Sequence, residues 1–409
     1  MKIHLPQRPW HGNTLLEIDL PDSWDIQVCP MKGADYSALS ADAIRAAIAQ
    51  PHEADRLETI ARGKRSAVIV FDDMTRPTRV SQIVPFLLEE LTAAEIAPQN
   101  ITFVCALGAH GALNMQDFRK KLGSDIPENY RVFNHNPYEN CLHIGETAFG
   151  TPVMINREVM EADVKIGISC VTAHTQTGFS GGGKLLVPGT AHIETITHLH
   201  EDVAARAPET TGPGKHEGNI LRENIDQAAA MVKMDFCINV IVNGRGETTA
   251  LLAGDPKASH GQAVDHAKDA YATHPRPRDK NVVIANAFAK ANEMAIAVRT
   301  GIMALAGRKG VLAVIADAPE GQVVHYLLGR FGRSYGGRRH PASRIPEGLD
   351  LIVMAPCFDK TFGDWFANPG KATWTRNWEE TRAVLEAKAG PKSRAAVLPN
   401  ATMQYLTPS

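Results

Sequence analysis

Chemistry concentrates in a few short runs of this chain. GFSGGGKL at 178–185 matches the GxxxxGK part of a phosphate-binding loop, but Leu185 replaces the Ser or Thr that would hold Mg²⁺, which argues against a conventional nucleotide triphosphatase. The N–H groups of Gly181, Gly182 and Gly183 could still converge on an anion, with Lys184 as a point charge or, if desolvated, a nucleophilic amine; a flexible turn with a solvated lysine is the plain alternative. His174 precedes this loop, and His192, His198 and His200 follow it. Imidazoles at this density suit proton transfer or metal ligation, although each alone reads equally well as structural. A two-residue offset on a helix points His198 and His200 apart, so one ligand from that pair is expected, not two. His110 closes a GAHG turn and is a candidate partner for His174, with loop capping as the alternative. In DDMTRP at 72–77, carboxylates, a hydroxyl and the Arg76 guanidinium suit recognition of a carboxylate, ribose or phosphate; simple helix capping is the competing reading. No HExxH, CxxC or GxGxxG following a strand is present.

These runs need elements that place them together. SAVIVFDD, NITFVCALGAH and EADVKIGISCVTAH are apolar, strand-like runs that end in acidic residues, glycine or histidine. Functional residues at carboxyl ends of strands are expected of an open parallel sheet. TRVSQIVPFLLEELTA has helical spacing interrupted at Pro85, HIETITHLH reads as a helix, and DFCINVIVNGRGETTALLAGD reads as a hairpin. PRPRDK marks a boundary, after which NVVIANAF, GVLAVIADA, LDLIVMA and RAAVLPN are four further strand candidates. The expected fold is α/β with two domains, 1–275 and 281–409, each a mixed or mostly parallel sheet flanked by helices, with the active site in the interdomain cleft. GRFGRSYGGRRHPA reads as an exposed loop or an anion-binding lid.

Composition sets the outer limits. The 409 residues carry 43 basic and 45 acidic side chains, a net charge of −2, which argues against a mainly nucleic-acid-binding role. The 6 cysteines imply no disulfide framework, and Cys105 and Cys170 read as buried thiols. Neither a signal peptide nor a membrane span is visible, so the cytoplasm is the default location.

The ordered combination of DDMTRP, the GAH turn at 108–110, HTQTGFSGGGK at 174–184, Pro188-Gly189 and His200 resembles the lactate racemase family, whose members use a nickel-pincer nucleotide. The resemblance implies covalent attachment of that cofactor, of the nickel pyridinium-3,5-bisthiocarboxylic acid mononucleotide type, through Lys184, with His200 ligating nickel. It implies His110 and His174 as the paired acid and base, and Arg76 as a catalytic and carboxylate contact. Asp73 and Thr75 would lie near the cofactor, as would Ser180 and Gly181 to Gly183. The family's activity on a 2-hydroxy acid would combine proton transfer with hydride transfer to and from the cofactor.

One departure bears on substrate. Where characterised lactate enzymes resemble Tyr-Gln-x-x-Lys, this chain has Ala295-Ile296-Ala297-Val298-Arg299. Arg299 retains a cation, but Ile296 removes an amide and Ala295 an aromatic ring. A bulkier or more apolar 2-hydroxy acid than lactate is therefore expected, with Ile296 and Arg299 as substrate-binding residues and Trp365, Trp374 or Trp378 as candidate pocket walls. Expected partners are the small substrate and the cofactor-producing enzymes, with no nucleic acid and no membrane; a homo-oligomer is compatible. The competing functions are a non-inverting oxidoreductase or lyase with the same cofactor, and a degenerate nucleotide- or metal-binding protein.

Overall fold

A computed structural model describes residues 1–327 and 343–407. The glycine-rich basic segment 329–342 lies outside the described residues. In chain order the strands begin with a hairpin of β1 (Lys2–Gln7) and β2 (Thr14–Asp19), then β3 (Asp25–Val28), β4 (Ala67–Asp72), β5 (Ile101–Ala106) and β6 (Arg131–Asn134). Two hairpins, β7 (Cys141–Glu146) with β8 (Pro152–Asn156) and β10 (Ala173–His174) with β11 (Gly178–Phe179), flank β9 (Val164–Cys170). β12 (Phe236–Val242), β13 (Thr248–Gly254), β14 (Val282–Asn286), β15 (Gly310–Ile315), β16 (Leu349–Met354), β17 (Ala372–Thr375) and β18 (Arg394–Leu398) complete the set.

The chain forms two units. One is Tyr36–Asn243 with Glu247–Lys268; the other is Met1–Asp35, Gly244–Gly246 and Asp269–Ser409. This division departs from the linear 1–275 and 281–409, because β3 adds to β18 as a parallel neighbour and carries the start of the chain into the second unit.

In the Tyr36–Lys268 unit the six-stranded sheet has the order β13-β12-β9-β4-β5-β6 and is parallel except where β13 runs against β12. β4 and β12 are buried along their whole length, so they read as continuous apolar runs rather than alternating ones. β5 and β6 lie on one side of β4 while β9 and β12 lie on the other. The winding direction therefore reverses between β4 and β9, and ligand crevices of open α/β sheets form beyond the carboxyl ends of the strands at such a point. The segments that follow β4, β5 and β9 are those carrying Asp73–Arg76, His110 and His174. Pro85 does not interrupt the helix after β4: that helix runs Val84–Ala93 with the proline in its first turn, where no N–H partner is needed.

In the other unit the sheet order is β17-β16-β15-β14-β18-β3, all parallel. The four expected strands are present, and β17 and β3 extend the edges. One face packs Ala297 and Val298 of the Ala295–Ala304 helix with Phe362 and Phe366; the opposite face packs Leu5, Ile18, Trp24 and Leu385. Its winding reverses between β14 and β18. There the crevice is filled by the chain itself: Asn286 Nδ2 donates to Pro6 O and to Pro399 O, both at 2.9 Å, and Gln7 Nε2 donates to Asn286 Oδ1 at 2.8 Å. Among the described residues, no helix is long and apolar enough to cross a membrane.

Candidate active site

After β4 the chain turns at once, with Arg76 N–H closing on Asp73 O at 3.2 Å. Asp73 is 3 % exposed, and its two carboxylate oxygens are divided between neighbours. Oδ1 accepts from Thr75 N at 2.9 Å and Thr75 Oγ1 at 2.5 Å; Oδ2 lies 2.5 Å from His110 Nδ1. Arg76 Nη1 donates to Thr75 Oγ1 at 2.7 Å. A guanidinium, a hydroxyl, a carboxylate and an imidazole thus form one hydrogen-bonded series. Burial alone would raise the Asp73 pKa, but the His110 charge and hydrogen bond, with Arg76 and Thr75, hold it well below the usual carboxylate range. Asp73 is therefore a carboxylate, and it favours the protonated form of His110.

The second imidazole has the opposite surroundings. His174 ends the β10 arm, paired with Gly178 on β11. Its Nδ1 lies 3.2 Å from the N–H groups of Gln176 and Thr177 and 3.0 Å from Thr177 Oγ1, while Nε2 lies 3.1 Å from Lys184 Nζ. A cationic amine at hydrogen-bond distance disfavours a second positive charge, so this site favours neutral imidazole.

The glycine loop between them is held from beneath. Arg222 Nη2 donates to Phe179 O at 2.7 Å and Nη1 reaches Gly181 O at 3.4 Å, while His260 Nε2 meets Ser180 O at 2.9 Å. Gly182 N–H is taken by Asn239 Oδ1 at 3.1 Å, and Ser180 Oγ donates to Cys170 O at 2.8 Å. Of the three glycine N–H groups, that of Gly182 is thus engaged within the protein. Ser180 is turned inward, and the glycines permit close packing: a Cβ on Gly182 would approach His260 to 2.6 Å, and one on Gly183 would approach Ala229 to 2.8 Å. Burial pushes the His260 pKa well below its ordinary value, so His260 holds the loop as a neutral ring.

His200 stands on a π-helical turn, His198–Val203, which follows the Ile193–Thr197 helix. Its Nδ1 lies 2.8 Å from Ile196 O, which puts the ring proton on Nδ1 and the lone pair on Nε2, the state a metal requires. His198 Nδ1 meets Thr151 Oγ1 at 2.9 Å. Among the described residues no group of three or more His, Cys, Asp or Glu is arranged to hold a metal ion. A single imidazole fits a metal whose remaining ligands come with an organic group.

Ile296 and Arg299 occupy the first turns of the Ala295–Ala304 helix, three residues apart and so on neighbouring positions of one face. Trp365 and Trp374 pack with the core on that helix's side of its sheet, Trp374 at 4.9 Å from Phe358 by ring centroids. Trp378 does not join them: it packs on the opposite face, with its indole N–H toward Asp19.

Lys121, Arg222, His260 and Asn239 were not singled out by sequence reasoning. Lys121 follows Phe118 by one turn and so shares its apolar face, and Arg222 stands in the same relation to Ile225; a charge on a buried face was the available signal.

Taken together, two mostly parallel sheets flanked by helices, one with imidazoles and a lysine loop beyond its strand ends, define an α/β protein. A family profile described as the lactate racemase N-terminal domain matches residues 11–212. Over this stretch, just under half of the chain, the protein is similar to the lactate racemase family. It is 27% identical over 273 residues to a lactate racemase of Thermoanaerobacterium thermosaccharolyticum, covering 66% of this chain and 64% of that protein. It is 31% identical over 232 residues to a lactate racemase of Lactiplantibacillus plantarum, covering 56% of this chain and 54% of that one. Each match thus spans less than two thirds of the relative's own length. The fold is similar to the lactate racemase apoprotein of T. thermosaccharolyticum, with a TM-score of 0.77 at 21% identity over the full length of both chains. It is also similar to a Thermotoga maritima protein, with a TM-score of 0.63 at 17% identity over 90% of this chain and 98% of that one.

Proposed function

We propose that the protein is a racemase or epimerase of a 2-hydroxy acid other than lactate, dependent on a nickel-pincer nucleotide. The observation that carries this reading is the placing of His110 and His174 beyond β5 and β9, on either side of β4. Those strands are two spacings apart, about 10 Å, a separation on the scale of a small hydroxy acid. Lys184 would hold the cofactor covalently and His200 Nε2 would ligate its nickel. When bound, the cofactor would supply a carbon that accepts and returns hydride, chemistry no side chain can perform.

The chain's own groups handle protons and orientation. Attachment of the cofactor through Lys184 would remove the amine's charge beside His174, leaving that imidazole suited to take up the substrate hydroxyl proton, while His110, with Nδ1 engaged by Asp73, suits delivery of a proton through Nε2 on the other side; the reverse reaction exchanges the roles. Arg76 would bind the substrate carboxylate, its guanidinium oriented through Thr75. Asp73 and Thr75 hold this side of the site, and Ile296 and Arg299 would select the substrate's distal part. Loading at Lys184 makes the cofactor-producing enzymes the upstream partners.

The test is to produce the protein with those enzymes and nickel, measure its intact mass, and then incubate it with single enantiomers of a 2-hydroxy-acid panel. A Lys184 adduct, bound nickel and loss of optical activity are expected. An absent adduct under adequate cofactor supply would overturn the reading, and keto acid accumulating without inversion would replace it with a non-inverting oxidoreductase.

A further inference from the structure

Lys121 is an unusual residue for its position. Its side chain is fully buried, although lysine is almost never so placed without partners. The helix that carries it, Met115–Leu122, is set by a capping box of Asn114 and Asp117 and by Phe118, whose ring meets Phe71 of β4 edge-on at 6.3 Å. From this fixed base Nζ donates to Asp73 O at 2.8 Å and Arg76 O at 2.9 Å, and lies 2.8 Å from Asp72 Oδ1. Two of its N–H groups go to the carbonyls, and the Asp72 carboxylate supplies the counter-charge. The other Asp72 oxygen accepts from Thr78 Oγ1 at 2.6 Å and from Cys170 N at 2.8 Å, so the same ion pair links β4, its following turn and the end of β9.

The two carbonyls that Lys121 grips belong to Asp73 and Arg76, whose side chains form the series ending at His110. We propose that Lys121 is a positioning residue: its buried ammonium fixes the turn after β4 so that the Asp73 carboxylate meets His110 Nδ1 and Arg76 meets Thr75. An apolar residue could fill the space, but it would take the ammonium from both carbonyls, leaving Asp73 O with the Arg76 N–H alone and the turn less firmly held. The significance of this role for catalysis rests on the proposed function, whereas the role itself is a property of the unloaded protein.

Three variants test it: Lys121→Met, Asp72→Asn/Lys121→Met, and Lys121→Arg. The single methionine change strands the Asp72 carboxylate and is expected to lower the melting temperature most. The double variant removes that charge, and Lys121→Arg keeps the ion pair while its planar fork cannot reproduce the three-way grip. In protein without cofactor, histidine side-chain NMR, assigned with His110→Gln, follows the His110 titration midpoint. It is expected to fall by about one unit in the folded variants, because the carboxylate is no longer aimed at the ring. In loaded enzyme kcat is expected to fall about 100-fold with a much smaller change in KM, the effect of misplacing a reacting group by about 1 Å. An unchanged midpoint in either folded variant would overturn the proposal, even if the protein were less stable. Because the NMR measurement needs no cofactor, it decides the role of Lys121 whether or not Lys184 is loaded.

Discussion

The two sheets of this protein share a design and differ in what stands at their switch points. Between β4 and β9 the following segments turn carboxylate, hydroxyl, guanidinium and imidazole groups toward one another; between β14 and β18 the chain fills the equivalent crevice with Pro6, Gln7 and Asn286. A parallel sheet creates the crevice by topology alone. Whether it becomes a reaction site depends on the residues at the strand ends. In the first case Asp73 and Lys184 give the two histidines unlike electrostatic surroundings; in the second, a single amide satisfies backbone carbonyls and leaves no reactive group.

The comparison is open to test in order of expected effect. Lys184→Ala should abolish the covalent adduct and reduce racemisation to background, as read by intact mass and polarimetry; retained adduct would place the attachment elsewhere. His110→Gln and His174→Gln should each lower kcat by about 10²- to 10⁴-fold while leaving the adduct in place, the range for loss of a general acid or base. Full activity in either would remove the acid–base assignment. At the other switch point the balance reverses. Asn286→Ala orphans Gln7 Nε2 and two carbonyls, and should cost about 1–3 kcal/mol of stability by denaturant melting while adduct formation and kinetics stay unchanged.

Acid gives the smallest effect, and it falls on the site-bearing unit. His135, 2 % exposed and bonded to Ala191 O at 2.9 Å, has its pKa lowered by burial from 6.5 to about 4. Between those values the unfolded chain binds more protons than the native one, so stability falls as pH drops below 6.5, by on the order of 1 kcal/mol at pH 5.5. Hydrogen exchange should show protection lost first in the Tyr36–Lys268 unit, and His135→Asn should remove that one group's share of the pH dependence, the rest coming from His216 and His260, whose pKa values burial also lowers.

Much of this arrangement was legible in residue pattern. Buried parallel strands read as apolar runs, and the polar groups at their ends stood out because Asp73, His110 and His174 follow β4, β5 and β9 within four residues. The hairpin of β12 and β13 and the four strands after residue 280 were equally clear. What escaped was whatever depends on partners distant in sequence. β17 is a four-residue strand whose pairing, not its pattern, makes it one. The support of the glycine loop by Arg222, His260 and Asn239, from three other elements, left no mark in the loop's own sequence. Lys121 sits in a run of basic residues where one is buried and its neighbour Lys120 is not. Trp378, within reach of a pocket by sequence, faces the opposite side of its sheet.

The parallel pairing of Asp25–Val28 with Arg394–Val397 has a consequence for how the chain folds. The Tyr36–Lys268 unit is nearly continuous and can form as soon as its residues are available, whereas the hairpin and edge strand ahead of it must wait for partners made last. A chain emerging from the ribosome as far as Lys268 already has both His110 and His174, but β3 still lacks the sheet it joins, and the β1–β2 hairpin the sheet face it packs against. Contacts so far apart in sequence form late and slowly. The inserted unit therefore sets its chemistry early, and the protein closes by joining its two ends.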